Sequence, residues 1–156
     1  MQKILVMGLP GAGKTTMARA LMKQLKHHNK SVKWFNADRV REDFNDWDFS
    51  DNGRLRQSAR MYYLAKQSKE NYVICDFVCP TKLMYALFEP QITVWMDTIK
   101  EGRYEDTNKI FTPPSKYDFK ITEKDAAKHA AIIIGKILNG SIYRIHCRES
   151  IRTFYR

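Results

Sequence analysis

Gly8-Leu9-Pro10-Gly11-Ala12-Gly13-Lys14-Thr15 decides how this chain is read. An apolar run, Ile4-Leu5-Val6-Met7, precedes it, and Met17, Ala18, Leu21, Met22 and Leu25 follow at helical spacing. The pattern is G-x-x-x-x-G-K-[ST] between a strand and a helix, the context that gives such a motif its meaning. Its glycines let the backbone curl and turn its N–H groups inward. With the positive end of the following helix, those donors make a cradle for phosphate oxygens. Gly8, Gly11, Ala12, Gly13, Lys14, Thr15 and Thr16 form that cradle. Lys14 can reach the outer phosphates of a nucleotide and is a candidate catalytic residue. The Thr15 hydroxyl suits a magnesium ion, which takes oxygen ligands and keeps several waters. ATP and Mg2+ are therefore the expected cofactors.

Working outward, strands and helices alternate. Residues 3–7 read as a strand covered on both faces, 14–28 as a helix and 32–36 as a second strand. A short charged helix is expected over 38–45. A long one is expected over 53–70, with Leu55, Ala59, Tyr62, Tyr63 and Lys66 tracing its inner side. Residues 72–75 form a compact strand, Pro80 starts a helix and Pro90 stops it. Further strands fall at 92–96 and 119–122. Residues 99–110 fit helix or loop, and the helix over 125–138 takes its cap from Thr122 or Glu123. The pattern predicts an α/β chain of the P-loop NTPase fold, with a five-stranded parallel sheet and helices on both faces. Residues 1–140 make the domain and 141–156 a basic extension. In that extension, arginines at every fourth position suit a helix, while alternation around Tyr143, Ile145 and Cys147 suits a strand.

Ligands of such sheets sit at the carboxyl ends of the strands. Asp38, Asp76 and Asp97 follow three strands and belong on that rim. Asp76 is the candidate magnesium partner with Thr15, directly or through water. Asp38 is the candidate for positioning an acceptor hydroxyl and taking its proton, and Asp97 reads as structural. Arg39, Arg41, Arg54, Arg56 and Arg60 gather after the second strand. Guanidinium groups grip phosphate and sulfate in a two-pronged geometry, and Phe49 between them can stack on a base or fill the core.

The chain has 156 residues, enough for one domain with a real core, and a formal net charge of +10. Such a charge favours anionic partners, whether nucleotides or nucleic acid. No apolar run approaches bilayer length, and the chain opens on its first strand, so neither a membrane span nor a signal peptide is expected. Cys75, Cys79 and Cys147 are odd in number and lack zinc-type pairing, and Cys75 and Cys79, flanking a strand end, read as buried free thiols. A reduced, cytoplasmic setting follows.

The motifs together resemble the adenylylsulfate kinase family. That family carries Gly-Leu-x-Gly-x-Gly-Lys-[ST]-Thr, matched from Gly8 to Thr16. Its Asp-Gly-Asp-x-x-Arg is similar to Asn36-Ala37-Asp38-Arg39-Val40-Arg41, and its Gly-Phe-Ser to the stretch at Phe49-Ser50. Val78-Cys79-Pro80 and Trp95-Met96-Asp97-Thr98 resemble its Ile-Ser-Pro and Val-Asp-[TC]. The resemblance runs from about residue 3 to 98, and more loosely to 138. It implies transfer of the γ-phosphoryl of ATP to the 3′-hydroxyl of adenylylsulfate, in sulfate assimilation. It places Asp38 near the acceptor, with Arg41, Phe49, Arg54 and Gln57 at acceptor-binding positions. There are departures. Asn36 and Ala37 replace Asp and Gly, Gly53 replaces an Asp, Gln57 an Asn and Ala59 an Arg. The family's Lys-Gly-Leu-Tyr-Lys-Lys segment gives way to 101–109, where Arg103 or Lys109 can supply charge at the transferring group. The expected partners are ATP and an anionic small-molecule acceptor, and a homodimer is allowed. A different nucleotide or a nucleic-acid hydroxyl is the alternative acceptor. A nucleotide-dependent binding module is the alternative outside enzymes.

Overall fold

The computed structural model describes residues 1–140. Its elements are β1 (Gln2–Met7), α1 (Lys14–His27), β2 (Val32–Asn36), α2 (Ala37–Phe44), α3 (Asp51–Gln67), β3 (Tyr72–Asp76), α4 (Lys82–Phe88), β4 (Ile92–Met96), α5 (Glu105–Ile110), β5 (Phe119–Ile121) and α6 (Ala126–Leu138). The five strands form one parallel sheet in the order β2-β3-β1-β4-β5. The expectations for 141–156, including Cys147 and the arginines at every fourth position, lie outside the described residues.

β1 is central and apolar on both sides because both sides are covered. Ile4 and Val6 pack with Met17, Leu21 and Leu25 of α1 and Ile133, Ile134 and Ile137 of α6. Leu5 and Met7 face the opposite way, onto Val40 of α2, Met61 and Ala65 of α3, and Met84 and Phe88 of α4. Each large side chain so buried contributes about 1.5–3 kcal/mol. Register then sets the rim: Val6 lies opposite Asp76 and Val94, and Asn36 opposite Asp76. The carboxyl ends of the inner strands therefore meet where β1 hands over to the glycine-rich loop.

The buried face of α3 is not the one its apolar spacing predicts. Gly53, Arg54, Gln57, Ser58, Met61 and Ala65 are buried, whereas Ala59, Tyr63 and Lys66 are exposed. Polar side chains occupy the inner face because they bind neighbouring loops. Arg54 Nε donates to Phe49 O at 2.9 Å, and Gln57 Nε2 to Ala37 O at 3.1 Å. α4 begins at Lys82, after Pro80, because the Thr81 hydroxyl accepts from Met84 N. Asp125, rather than Thr122 or Glu123, caps α6 by accepting from Lys128 N. Residues 99–110 divide into a loop and the short α5.

Candidate active site

The glycine-rich loop takes backbone shapes that side chains resist. Gly8 has φ +152, and a Cβ there would lie 2.6 Å from Met96 O. Gly13, with φ 95, caps α1 in the left-handed region. That helix begins with no side-chain cap and no acid in its first turn, so its leading N–H groups remain available to an anion. Three donors hold the loop's carbonyls: Lys14 Nζ to Leu9 O at 3.0 Å, Thr98 Oγ1 to Ala12 O at 2.7 Å, and Lys124 Nζ to Gly11 O at 2.8 Å. Burial pushes the Lys14 ammonium down to about 8, while the charges of Asp76 and Asp38 partly pull it back. A triphosphate would restore the counter-charge this lysine lacks.

Asp76, 2% exposed at the end of β3, accepts from Trp34 Nε1 at 2.6 Å and from Asn36 Nδ2 at 3.0 Å. Burial still holds its carboxyl above the usual carboxylate range. Asn36 ends β2 and serves three groups at once. Its Oδ1 accepts from Arg39 N to cap α2, and its Nδ2 donates to Asp76 and, at 3.2 Å, to Thr15 Oγ1. A carboxylate at this position could cap the helix but could not donate. Among the described residues no cluster of three or more His, Cys, Asp or Glu side chains could cage a metal. One hydroxyl and one carboxylate joined through Asn36 do fit Mg2+, which takes few protein oxygens and completes its shell with water and phosphate.

A cavity of about 800 Å³ opens from the loop across the sheet edge. Lys14, Thr15, Asp38, Phe49, Arg54 and Asp76 all line it. Arg41 and Gln57 do not: they stand behind the wall. Arg41 Nη1 donates to Asp46 O and Asp48 O at 2.9 and 3.1 Å, and its guanidinium lies 4.3 Å from the Phe49 ring. Gln57 anchors Ala37 and accepts from Arg60 at 2.9 Å. Arg60 and Arg56 both bind Asp46, whose carboxyl they hold well below the usual carboxylate range. Asp97 is taken by Lys120 at 3.5 Å, apart from the cavity. Of the two cations expected in 101–109, Arg103 lines the cavity and Lys109 does not.

Trp47, Tyr104, Asp106, Thr107 and Lys124 also line the cavity, and none was picked out from sequence. Trp47 and Tyr104 are half exposed, and Trp47 stands 6.5 Å from the Phe49 ring. The signal that could have found them is position: each lies in a segment that follows the carboxyl end of a strand.

The sequence model of the adenylylsulphate kinase family matches residues 2–93, more than half of the chain. The chain belongs to that family. It is 37% identical over 76 residues to the adenylyl-sulfate kinase of Halothermothrix orenii, a match covering 47% of this chain and 41% of that relative's length. Its fold resembles that of the Mycobacterium tuberculosis APS kinase, solved in complex with AMPPNP and APS. The TM-score is 0.75 at 17% identity, over 87% of this chain and 96% of that one. The shikimate kinase of Acinetobacter baumannii shares the fold at a TM-score of 0.61 and 17% identity, over 90% and 94%. The part matching the adenylylsulphate kinase family holds the loop, Asp38, Arg54 and Asp76, and ends before α5.

Proposed function

We propose that the chain is an ATP-dependent kinase that transfers the γ-phosphoryl group to a hydroxyl of adenylylsulfate or a related nucleotide. One observation carries the reading: a single cavity joins the phosphate cradle at Lys14 and Thr15 to Asp38, Phe49 and Arg54. ATP lies over the loop, with Lys14 on its outer phosphates. Thr15 and, indirectly, Asp76 would hold Mg2+, which would neutralise phosphate charge. Phe49 offers a ring to the acceptor's base, and Arg54 a guanidinium to its anionic group. Asp38 orients the acceptor hydroxyl and accepts its proton as the oxygen bonds to the γ-phosphorus and ADP departs. Such transfer depends on alignment and charge stabilisation, which a fixed loop and a lined cavity supply.

Arg41 and Gln57 act one layer back in this reading. Arg41 supports Phe49 and the 46–48 backbone, and Gln57 holds the start of α2 beside Asp38. The free, buried thiols of Cys75 and Cys79, their protons held tightly by burial, support a reduced compartment such as the cytoplasm. Among the described residues no helix is long and apolar enough to cross a membrane.

The test is labelled ATP with a panel of adenylylsulfate, nucleosides, nucleotides and oligonucleotides. Label should appear on adenylylsulfate or a close nucleotide, and Lys14→Ala should lose it. Label on oligonucleotides alone would overturn the reading in favour of a nucleic-acid kinase. Salt-dependent oligonucleotide binding without transfer would favour a binding module.

A further inference from the structure

We propose that Asp106 is a resident anion occupying the acceptor's oxyanion subsite at Arg54. A tetrahedral oxyanion on the acceptor must then take its place. The assignment rests on the reading of this cavity as a phosphotransferase site and names the residue that sets its threshold for acceptors.

Of Arg41, Arg54, Arg56 and Arg60, only Arg54 lines the cavity. It is 8% exposed on α3, and its fork is only partly committed to the fold. Nε is fixed on Phe49 O at 2.9 Å. Nη2 donates to Asp106 Oδ2 at 3.0 Å and to Thr107 Oγ1 at 3.3 Å. Nη1 has no hydrogen bond among the described residues. The other arginines are committed: Arg41 to backbone carbonyls, Arg56 and Arg60 to Asp46.

The two partners differ in what separation would cost. A buried guanidinium without a counter-charge is expensive, so Arg54 needs an anion. The Asp106 side chain is 69% exposed and already largely hydrated, so it can return to water cheaply. Exchange is thus uphill only for an acceptor that fails to supply an equivalent charge. A neutral acceptor would leave the carboxylate in place. A sulfate or phosphate ester offers several oxygens to Nη2 and the open Nη1, a better match to the fork than one carboxylate oxygen. Asp106 sits on α5, beyond the residues that match the family.

The experiment saturates the chain with Mg·AMPPNP to fill the phosphate cradle, then titrates inorganic sulfate and, separately, inorganic phosphate by calorimetry. Asp106→Asn and Asp106→Ala should each tighten binding by about fivefold, the weight of one exposed ion pair. Asp106→Glu should stay close to wild type, and Arg54→Ala should abolish the heat. The oxyanion bound more tightly is the one the subsite takes. Wild-type affinity for both oxyanions in Asp106→Asn and Asp106→Ala would overturn the proposal. Tighter binding in those variants, in a protein that phosphorylates no adenylylsulfate, would uphold the subsite and remove the substrate reading instead.

Discussion

Gly53 and Asp48 meet so closely that a Cβ on Gly53 would overlap the Asp48 carbonyl. Arg41 Nη1 holds that carbonyl at 3.1 Å, and Ser50 caps α3 by accepting from Gly53 N. The 46–50 loop is drawn onto the first turn of the helix, which carries Phe49 to the cavity. A helix normally gains from Ala in place of Gly, so a glycine here answers to the loop rather than to the helix. Gly53→Ala should therefore destabilise the fold by about 1–3 kcal/mol, as overpacking does. It should also raise KM for the acceptor more than KM for ATP. Urea melts and steady-state kinetics check both.

This contact also explains a departure from the family pattern that the sequence left without a reason. The strand, glycine-rich loop and helix that open the chain were legible because the motif and its chain order coincide. The sheet was legible because strands covered on both faces are apolar without interruption. The inner face of α3 was not, since Arg54 and Gln57 are buried for their hydrogen bonds, and apolar spacing cannot see that. For the same reason Arg41 and Gln57 could be placed near the acceptor by resemblance while standing behind the wall. Trp47 and Tyr104 sit in loops, where no periodicity marks which side chains turn inward.

Lys14 gives a proton-linked signature for nucleotide binding. Its ammonium titrates near 8 in the free protein, and phosphate oxygens would raise it again. Binding above pH 8 should therefore take up a substantial fraction of a proton, and well below pH 8 almost none. Calorimetry of AMPPNP binding in buffers of different ionisation enthalpy measures the uptake. The same depression sets a stability trend. The unfolded lysine holds its proton up to its ordinary value, so the cost of burying charge is full below pH 8 and is relieved as pH rises from 8 towards 10.5.

Asn36 reads as a replacement that the neighbouring acid requires. Asn36→Asp keeps the cap on α2 but removes the donor shared by Thr15 and Asp76, and sets a second carboxylate against the first. We expect a loss of about 1–3 kcal/mol at neutral pH. Asp76 already titrates above its ordinary value, so its folded form keeps the proton longer, and stability declines as pH climbs through that raised value. The substitution should steepen this decline. Urea melts at pH 5 and pH 8 should diverge more in Asn36→Asp than in wild type, and millimolar Mg2+ should recover more stability in the variant.

Two side chains hold the glycine-rich loop by its carbonyls: Thr98 on Ala12 O at 2.7 Å and Lys124 on Gly11 O at 2.8 Å. These bonds fix adjacent carbonyls and so constrain the peptide planes whose N–H groups serve an anion. Thr98→Val keeps the side chain's shape and removes its donor. It should cost about 1 kcal/mol of stability and weaken AMPPNP binding by about threefold to tenfold. Lys124→Met should weaken nucleotide binding in the same direction. The two carbonyls are neighbours in one loop, so the double variant should lose less than the sum of the singles. Sulfate binding at Arg54, measured with AMPPNP saturating, should be unchanged in all three. A strictly additive double variant, or an equal loss at Arg54, would show that the two donors support the fold at large rather than the cradle.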